Sequence, residues 1–185
     1  MATKPRVGAD DLWRMPEDDI RRELVNGEVI EMPPVGPLHG KFSGRVYKWI
    51  ADYIALHPAG EVLVGDVGFV LNLPEDPERV RAPDVAYIST ERLPEGGVTE
   101  KFIHNAPDLA VEILSPSDTS DCVVQKVQEY MQSNARLVWV VAPKTKTVTV
   151  YRADGSAQLL QREDILDGED VLPGLKIPLS ELFRR

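Results

Sequence analysis

Residues 108–133, DLAVEILSPSDTSDCVVQKVQEYMQS, set one carboxylate, Glu112, into an otherwise apolar strand that runs through a Ser/Pro/Asp turn into a helix. A buried carboxylate is costly unless a cation, a hydrogen-bond donor or a metal compensates it, so the chain must bring such a partner to this strand. Period-two geometry puts Asp108, Ala110, Glu112 and Leu114 on one strand face and Leu109, Val111 and Ile113 on the other. In the helix over residues 120–133, Val123, Val124, Val127, Tyr130 and Met131 form the apolar stripe. Lys126 falls at its border, where its methylenes can lie on the core while its ammonium reaches the sheet. Gln125 falls on the solvent side, and Cys122, in the first turn, reads as a partly buried structural cysteine.

A second carboxylate, Asp84, stands on a strand beginning at Val80, where the alternation aligns it with Ala86 and Ile88. Small Ala86 beside Asp84, like Ala110 beside Glu112, leaves room near both acids. Pro83 fixes the entry to Asp84.

Elsewhere, residues 1–16 read as a loose N-terminal arm with a single helical turn around residues 10–15. Asn26-Gly27 between two short apolar-polar runs predicts a hairpin over residues 23–32. A Pro-rich loop then leads into a helix over residues 38–56, with Phe42, Val46, Trp49, Ile50 and Tyr53 at helical spacing. His39 begins it on the apolar side, as a packing or capping residue or an accessory one in a site. Lys41, Arg45 and Lys48 form a basic stripe on that helix, either a solvated face or a surface that contacts phosphates. Residues 61–73 predict two strands around Gly65-Asp66, residues 89–107 a long loop, residues 136–151 a second hairpin, and the apolar tail a segment that docks back on the body.

With 43% hydrophobic residues over 185, one domain covering residues 1–185 is expected. The apolar runs fall far short of the roughly 20 residues that span a bilayer and the start lacks an apolar signal core, so a cytoplasmic protein is expected, with no membrane partner. One cysteine excludes an internal disulfide framework and a Cys-type zinc site. A net charge of -9 opposes nonspecific attraction to nucleic acid, so any nucleic-acid contact must be local.

Two carboxylates on neighbouring strands with a lysine at the same end suit Mg²⁺ or Mn²⁺, hard cations that keep several waters and accept phosphate oxygens. That combination points to metal-assisted phosphodiester hydrolysis, against the alternative of plain structural ion pairs. Pro83-Asp84, Glu112-Ile113-Leu114-Ser115-Pro116-Ser117, Lys126 with Tyr130, Leu137-Val138-Trp139-Val140-Val141, the early Glu23-Leu24-Val25-Asn26-Gly27-Glu28, His39-Gly40 and Leu172-Pro173-Gly174 together resemble the bacterial Uma-type restriction endonuclease family. That family is a branch of the PD-(D/E)XK nucleases, and the resemblance covers nearly the whole chain. It implies a restriction-endonuclease-like α/β fold, a central mixed sheet flanked by helices, with extra hairpins. It also implies that Asp84 and Glu112 are catalytic metal ligands, that Glu23 completes the metal environment, and that Lys126 substitutes for the lysine displaced by Leu114. The expected function is a Mg²⁺- or Mn²⁺-dependent endonuclease acting on nucleic acid, DNA first, as a homodimer. The alternative is a catalytically weak or inactive nucleic-acid-binding or regulatory module, since relatives carry acidic residues where this chain has Cys122 and Gln125.

Overall fold

The structure, a computed structural model, describes residues 6–16, 18 and 20–184. Its centre is a mixed six-stranded sheet in the order β11-β10-β9-β8-β6-β3. The strands are β3 (Gly60–Val64), β6 (Val85–Ser89), β8 (Leu109–Ile113), β9 (Leu137–Ala142), β10 (Thr147–Arg152) and β11 (Ala157–Leu160). Within this sheet β8 and β9 run parallel, joined by helix α3 (Ser120–Gln132), while its other pairs are antiparallel. The opening stretch of the sequence is therefore a β-α-β unit, because parallel neighbours need a crossover.

The strand alternation sorts the core into two layers. Leu109, Val111 and Ile113 of β8 and Leu137, Trp139 and Val141 of β9 face helix α2 (Pro37–Leu56), which contributes Phe42, Val46 and Ile50. The tail closes this layer with Leu172, Leu179, Leu182 and Phe183, so it docks as expected. Ala110, Val138 and Val140 face the other way, onto Val127 and Tyr130 of α3. Each large apolar side chain buried this way contributes about 1.5–3 kcal/mol of transfer free energy.

A second, five-stranded sheet is ordered β2-β1-β5-β4-β7. It comprises β1 (Arg21–Val25), β2 (Glu28–Met32), β4 (Phe69–Val70), β5 (Val80–Arg81) and β7 (Ile103–His104). The expected Asn26-Gly27 hairpin is present, with φ of 52° and 75° at the two turn residues. In the expected arm, residues 1–5 lie outside the described residues, while helix α1 (Ala9–Trp13) buries Ala9 and Leu12.

Four local expectations are corrected. The strand from Val80 is two strands in different sheets, β5 and β6, interrupted at residues 82–84, where Pro83 has no N–H to give to a ladder. Val124 is exposed, and the buried face of α3 instead includes Glu129. Cys122 is exposed too, since it sits in the outward part of the first turn beside the Thr119 cap. The long loop also gains the short strand β7, held because Ile103 and Ala106 are buried.

Candidate active site

Asp84 and Glu112 are brought together by sheet register. Strand β6 pairs antiparallel with β8 so that Val85 faces Val111, which brings Asp84, the residue before Val85, and Glu112, the residue after Val111, to the same end of the two strands, where both line one cleft. The two like charges repel, and the charge of Asp84 adds to the raised pKa of Glu112. Asp84 is fixed by the Ile113 N–H, which donates to its Oδ2 at 2.7 Å, by His39 Nε2 at 3.1 Å from the same oxygen, and by Arg21 Nη1 at 3.2 Å from Oδ1. Glu112 accepts from Tyr130 Oη at 2.7 Å on Oε1 and, at a longer 3.4 Å, from Lys126 Nζ on Oε2. Lys126 and Tyr130 are four residues apart on one face of α3, so a single helix supplies both donors.

The Lys126 ammonium lies closer to Glu23, 3.0 Å from Oε1. Glu23 also accepts from Arg81 Nη1 at 2.6 Å on Oε2 and from the Ala82 N–H at 3.3 Å, so both its oxygens are engaged. This pair too follows from register, since Leu24 faces Val80 and the neighbouring position sets Glu23 opposite Arg81. Beyond Arg81 the network runs on through Glu129, whose Oε2 lies 2.6 Å from Arg81 Nε, to Arg79 and then Asp76.

The three carboxylates differ electrostatically. For Glu112, burial raises the pKa, the nearby charges of Asp84 and Glu23 add to the rise, and Lys126 offsets only part of it. For Glu23, burial also raises the pKa, but Lys126 and Arg81 outweigh it and the net shift is downward. Asp84 is likewise shifted down, because the His39 bond, the Ile113 N–H and Arg21 outweigh burial. Burial opposes the charge on Lys126, yet Glu112 and Glu23 hold its pKa above the ordinary lysine value. Tyr130 is pushed up, by burial first and by the charge of Glu112 next, so its hydroxyl stays a donor.

Asp84, Glu112 and Lys126 line a cleft of about 290 Å³ with Arg21, His39 and residues 115–118. A neighbouring lobe of about 490 Å³ shares Arg21, His39 and Asp84 and extends to Ser43 and Asp66. The donor set fits a hard divalent cation: two neighbouring carboxylates, one of them short of positive partners. Among the described residues no group of three or more His, Cys, Asp or Glu side chains forms a metal cage, so backbone, water or substrate oxygens would fill the remaining positions.

Of the residues singled out from the sequence, Asp84, Glu112, Lys126, Glu23 and His39 gather here. Lys41, Arg45 and Lys48 do not line the cleft. Arg45 donates to the carbonyl oxygen of Leu182 at 2.7 Å, Lys48 pairs with Asp52 at 2.5 Å, and Lys41 is exposed. Sequence reasoning missed Arg21, Arg81 and Glu129, and it gave Tyr130 a place in the core and in the family resemblance but no role in the site. The period-two step from Glu23 back to Arg21, and the four-residue step from Lys126 to Tyr130, were signals that could have found two of them.

Residues 9–180 match the model of the Uma2 family, described as "Putative restriction endonuclease". No curated protein matches the chain. Among solved structures, the chain is similar to one described as a putative nuclease belonging to DUF820 from Anabaena variabilis, with a TM-score of 0.82 and 19% identity over 96% of this chain and 97% of that one. A likeness at that identity concerns the fold, and the fold is the expected restriction-endonuclease-like α/β one. Among the described residues no helix is long and apolar enough to cross a membrane.

Proposed function

Since the chain belongs to the Uma2 family, and with it to a nuclease lineage, we propose that it is a Mg²⁺- or Mn²⁺-dependent endonuclease that hydrolyses phosphodiester bonds of DNA in the cytoplasm. The observation that carries this reading is that Asp84 and Glu112 meet at one end of β6 and β8 and line one cleft, an arrangement whose repulsion a divalent cation would relieve.

Asp84 and Glu112 would hold the metal, with Glu23 at its border. A bound divalent cation supplies Lewis-acid polarisation of the phosphodiester and a lowered pKa for a coordinated water. The remaining work belongs to the chain's own groups. Asp84 is kept ionised by its three donors and is therefore ready to ligate at neutral pH. Tyr130 fixes one oxygen of Glu112 and leaves the other turned toward Lys126. Lys126, kept cationic between Glu23 and Glu112, orients the attacking water and stabilises charge that develops on the phosphate. His39 holds Asp84 in its rotamer from the α2 side.

Gln125 and Cys122 bear little on turnover in this reading. Neither lines the cleft, and Gln125 donates to Glu129 at 2.8 Å. Nucleases that cut both strands of a duplex commonly pair two sites, so a homodimer is part of the proposal, and a monomeric mass by light scattering would remove that part.

The test is incubation of purified protein with plasmid and single-stranded DNA in Mg²⁺ or Mn²⁺, beside Asp84→Ala. Cleavage that requires metal and falls at least about hundredfold in the variant is expected. Cleavage equal in both proteins, or none in the wild type, overturns the reading and leaves the module without turnover.

A further inference from the structure

Arg21 lines the cleft and is paired with a proposed metal ligand, Asp84. Its side chain is 12% exposed, and its Nη1 lies 3.2 Å from Asp84 Oδ1. Its Nε lies 2.9 Å from Asp66 Oδ1 without the alignment of a hydrogen bond, so that buried N–H has no hydrogen-bond partner. Its Nη2 donates to the carbonyl oxygen of Ala82, which holds the stem of the guanidinium in place.

Arg21 lines both lobes of the cleft, and among the described residues the only other lysine or arginine in either is Lys126. Lys126 is already committed to Glu23 and Glu112. Among the described residues, a phosphodiester lying across the two lobes therefore meets one lysine or arginine, Arg21, that is not held between two carboxylates of the core. A planar fork of N–H donors suits that oxygen geometry. When a divalent cation takes Asp84, the pairing that now occupies Arg21 is weakened, and the exposed Asp66 remains as its tether.

We propose that Arg21 is the substrate-phosphate contact of this site: it neutralises Asp84 in the metal-free protein and, once that carboxylate is engaged by a divalent cation, turns its guanidinium to a phosphodiester oxygen. The inference rests on the nuclease reading above.

Two measurements test it. The first is calorimetric titration with Mn²⁺ of the wild type, Arg21→Gln and Arg21→Lys. Removing a positive charge beside Asp84 should tighten Mn²⁺ binding at least about tenfold in Arg21→Gln, while Arg21→Lys stays within about threefold of wild type. At saturating Mn²⁺ the single-turnover cleavage of a duplex by Arg21→Gln should nevertheless fall at least about hundredfold. A folded Arg21→Gln that binds Mn²⁺ no more tightly, or that cleaves like the wild type, overturns the role of Arg21. The second measurement needs no variant that might fail to fold. In ¹⁵N-labelled wild type, the Arg21 Nε–H resonance should move as Mg²⁺ is added, with the midpoint of metal binding, and an unmoved resonance overturns the exchange. Wild-type protein that binds no Mn²⁺ overturns the nuclease reading itself, whereas binding that Arg21→Gln leaves unimproved overturns only the inference about Arg21.

Discussion

Replacing Arg81 by Met should destabilise the protein and disturb Lys126 at the same time. Arg81 lies between two carboxylates, 2.6 Å from Glu23 Oε2 and 2.6 Å from Glu129 Oε2, with only 8% of its side chain exposed. Burial opposes its charge, but the bond to Glu129 and the charge of Glu23 hold its pKa above the ordinary arginine value. Removing one partner of a buried pair costs about 3–5 kcal/mol, because the remaining charge is left uncompensated. Here each orphan keeps something: Glu129 keeps Arg79 and Gln125, and Glu23 keeps Lys126 and the Ala82 N–H. The lower end, about 3 kcal/mol, is therefore expected, and at about 2–4 °C per kcal/mol the unfolding midpoint should drop by about 6–12 °C. Circular dichroism melts at pH 7 measure it, and added salt should change the loss little, since the pair is buried. Lys126, drawn harder to Glu23, should also leave Glu112 less compensated. A loss below about 1 kcal/mol would refute the claim that Arg81 holds Glu23 in place.

Glu112 and Asp84 should respond to pH in opposite senses. The raised pKa of Glu112 means that its contribution is full below the ordinary glutamate range and is lost as pH rises through the raised value, so Glu112→Gln should melt higher than wild type at pH 7.5, with the gain gone by about pH 4. The lowered pKa of Asp84 contributes stability above the ordinary aspartate range that is lost on acidification, so Asp84→Asn should melt lower at pH 7.5 and converge with wild type in acid. Tyr130→Phe removes a 2.7 Å bond to a buried carboxylate and should cost about 1.5–3 kcal/mol in denaturant titration. Gly60→Ala would place a Cβ 2.0 Å from the Ile88 carbonyl oxygen, backbone that cannot step aside, so β3 should part from β6 at a cost of about 1–3 kcal/mol.

Much of the scaffold was legible because it is written in local periodicity. Asn26-Gly27, the apolar positions of α2, the alternation of β8 and the β9–β10 hairpin each declare themselves within a few residues. The strand that carries Asp84 was misjudged because apolar pattern continues through Pro83 while the ladder does not. In the site, the acids and Lys126 stood out as charges where apolar residues were expected. Arg81 and Glu129 did not, because a buried arginine and a buried glutamate that satisfy each other across β5 and α3 look like surface residues until register and helix packing bring them together. Arg21 was hidden for the same reason, as its two acidic partners lie 45 and 63 residues away in sequence.

The central claim is that Asp84 and Glu112 share a divalent cation. A crystal soaked in Mn²⁺ and measured at the manganese absorption edge tests it most directly. The account predicts an anomalous peak between the two carboxylates, with Arg21 moved off Asp84. Ordered Mn²⁺ found only elsewhere on the protein, or none at all, with Arg21 still paired to Asp84, would contradict it.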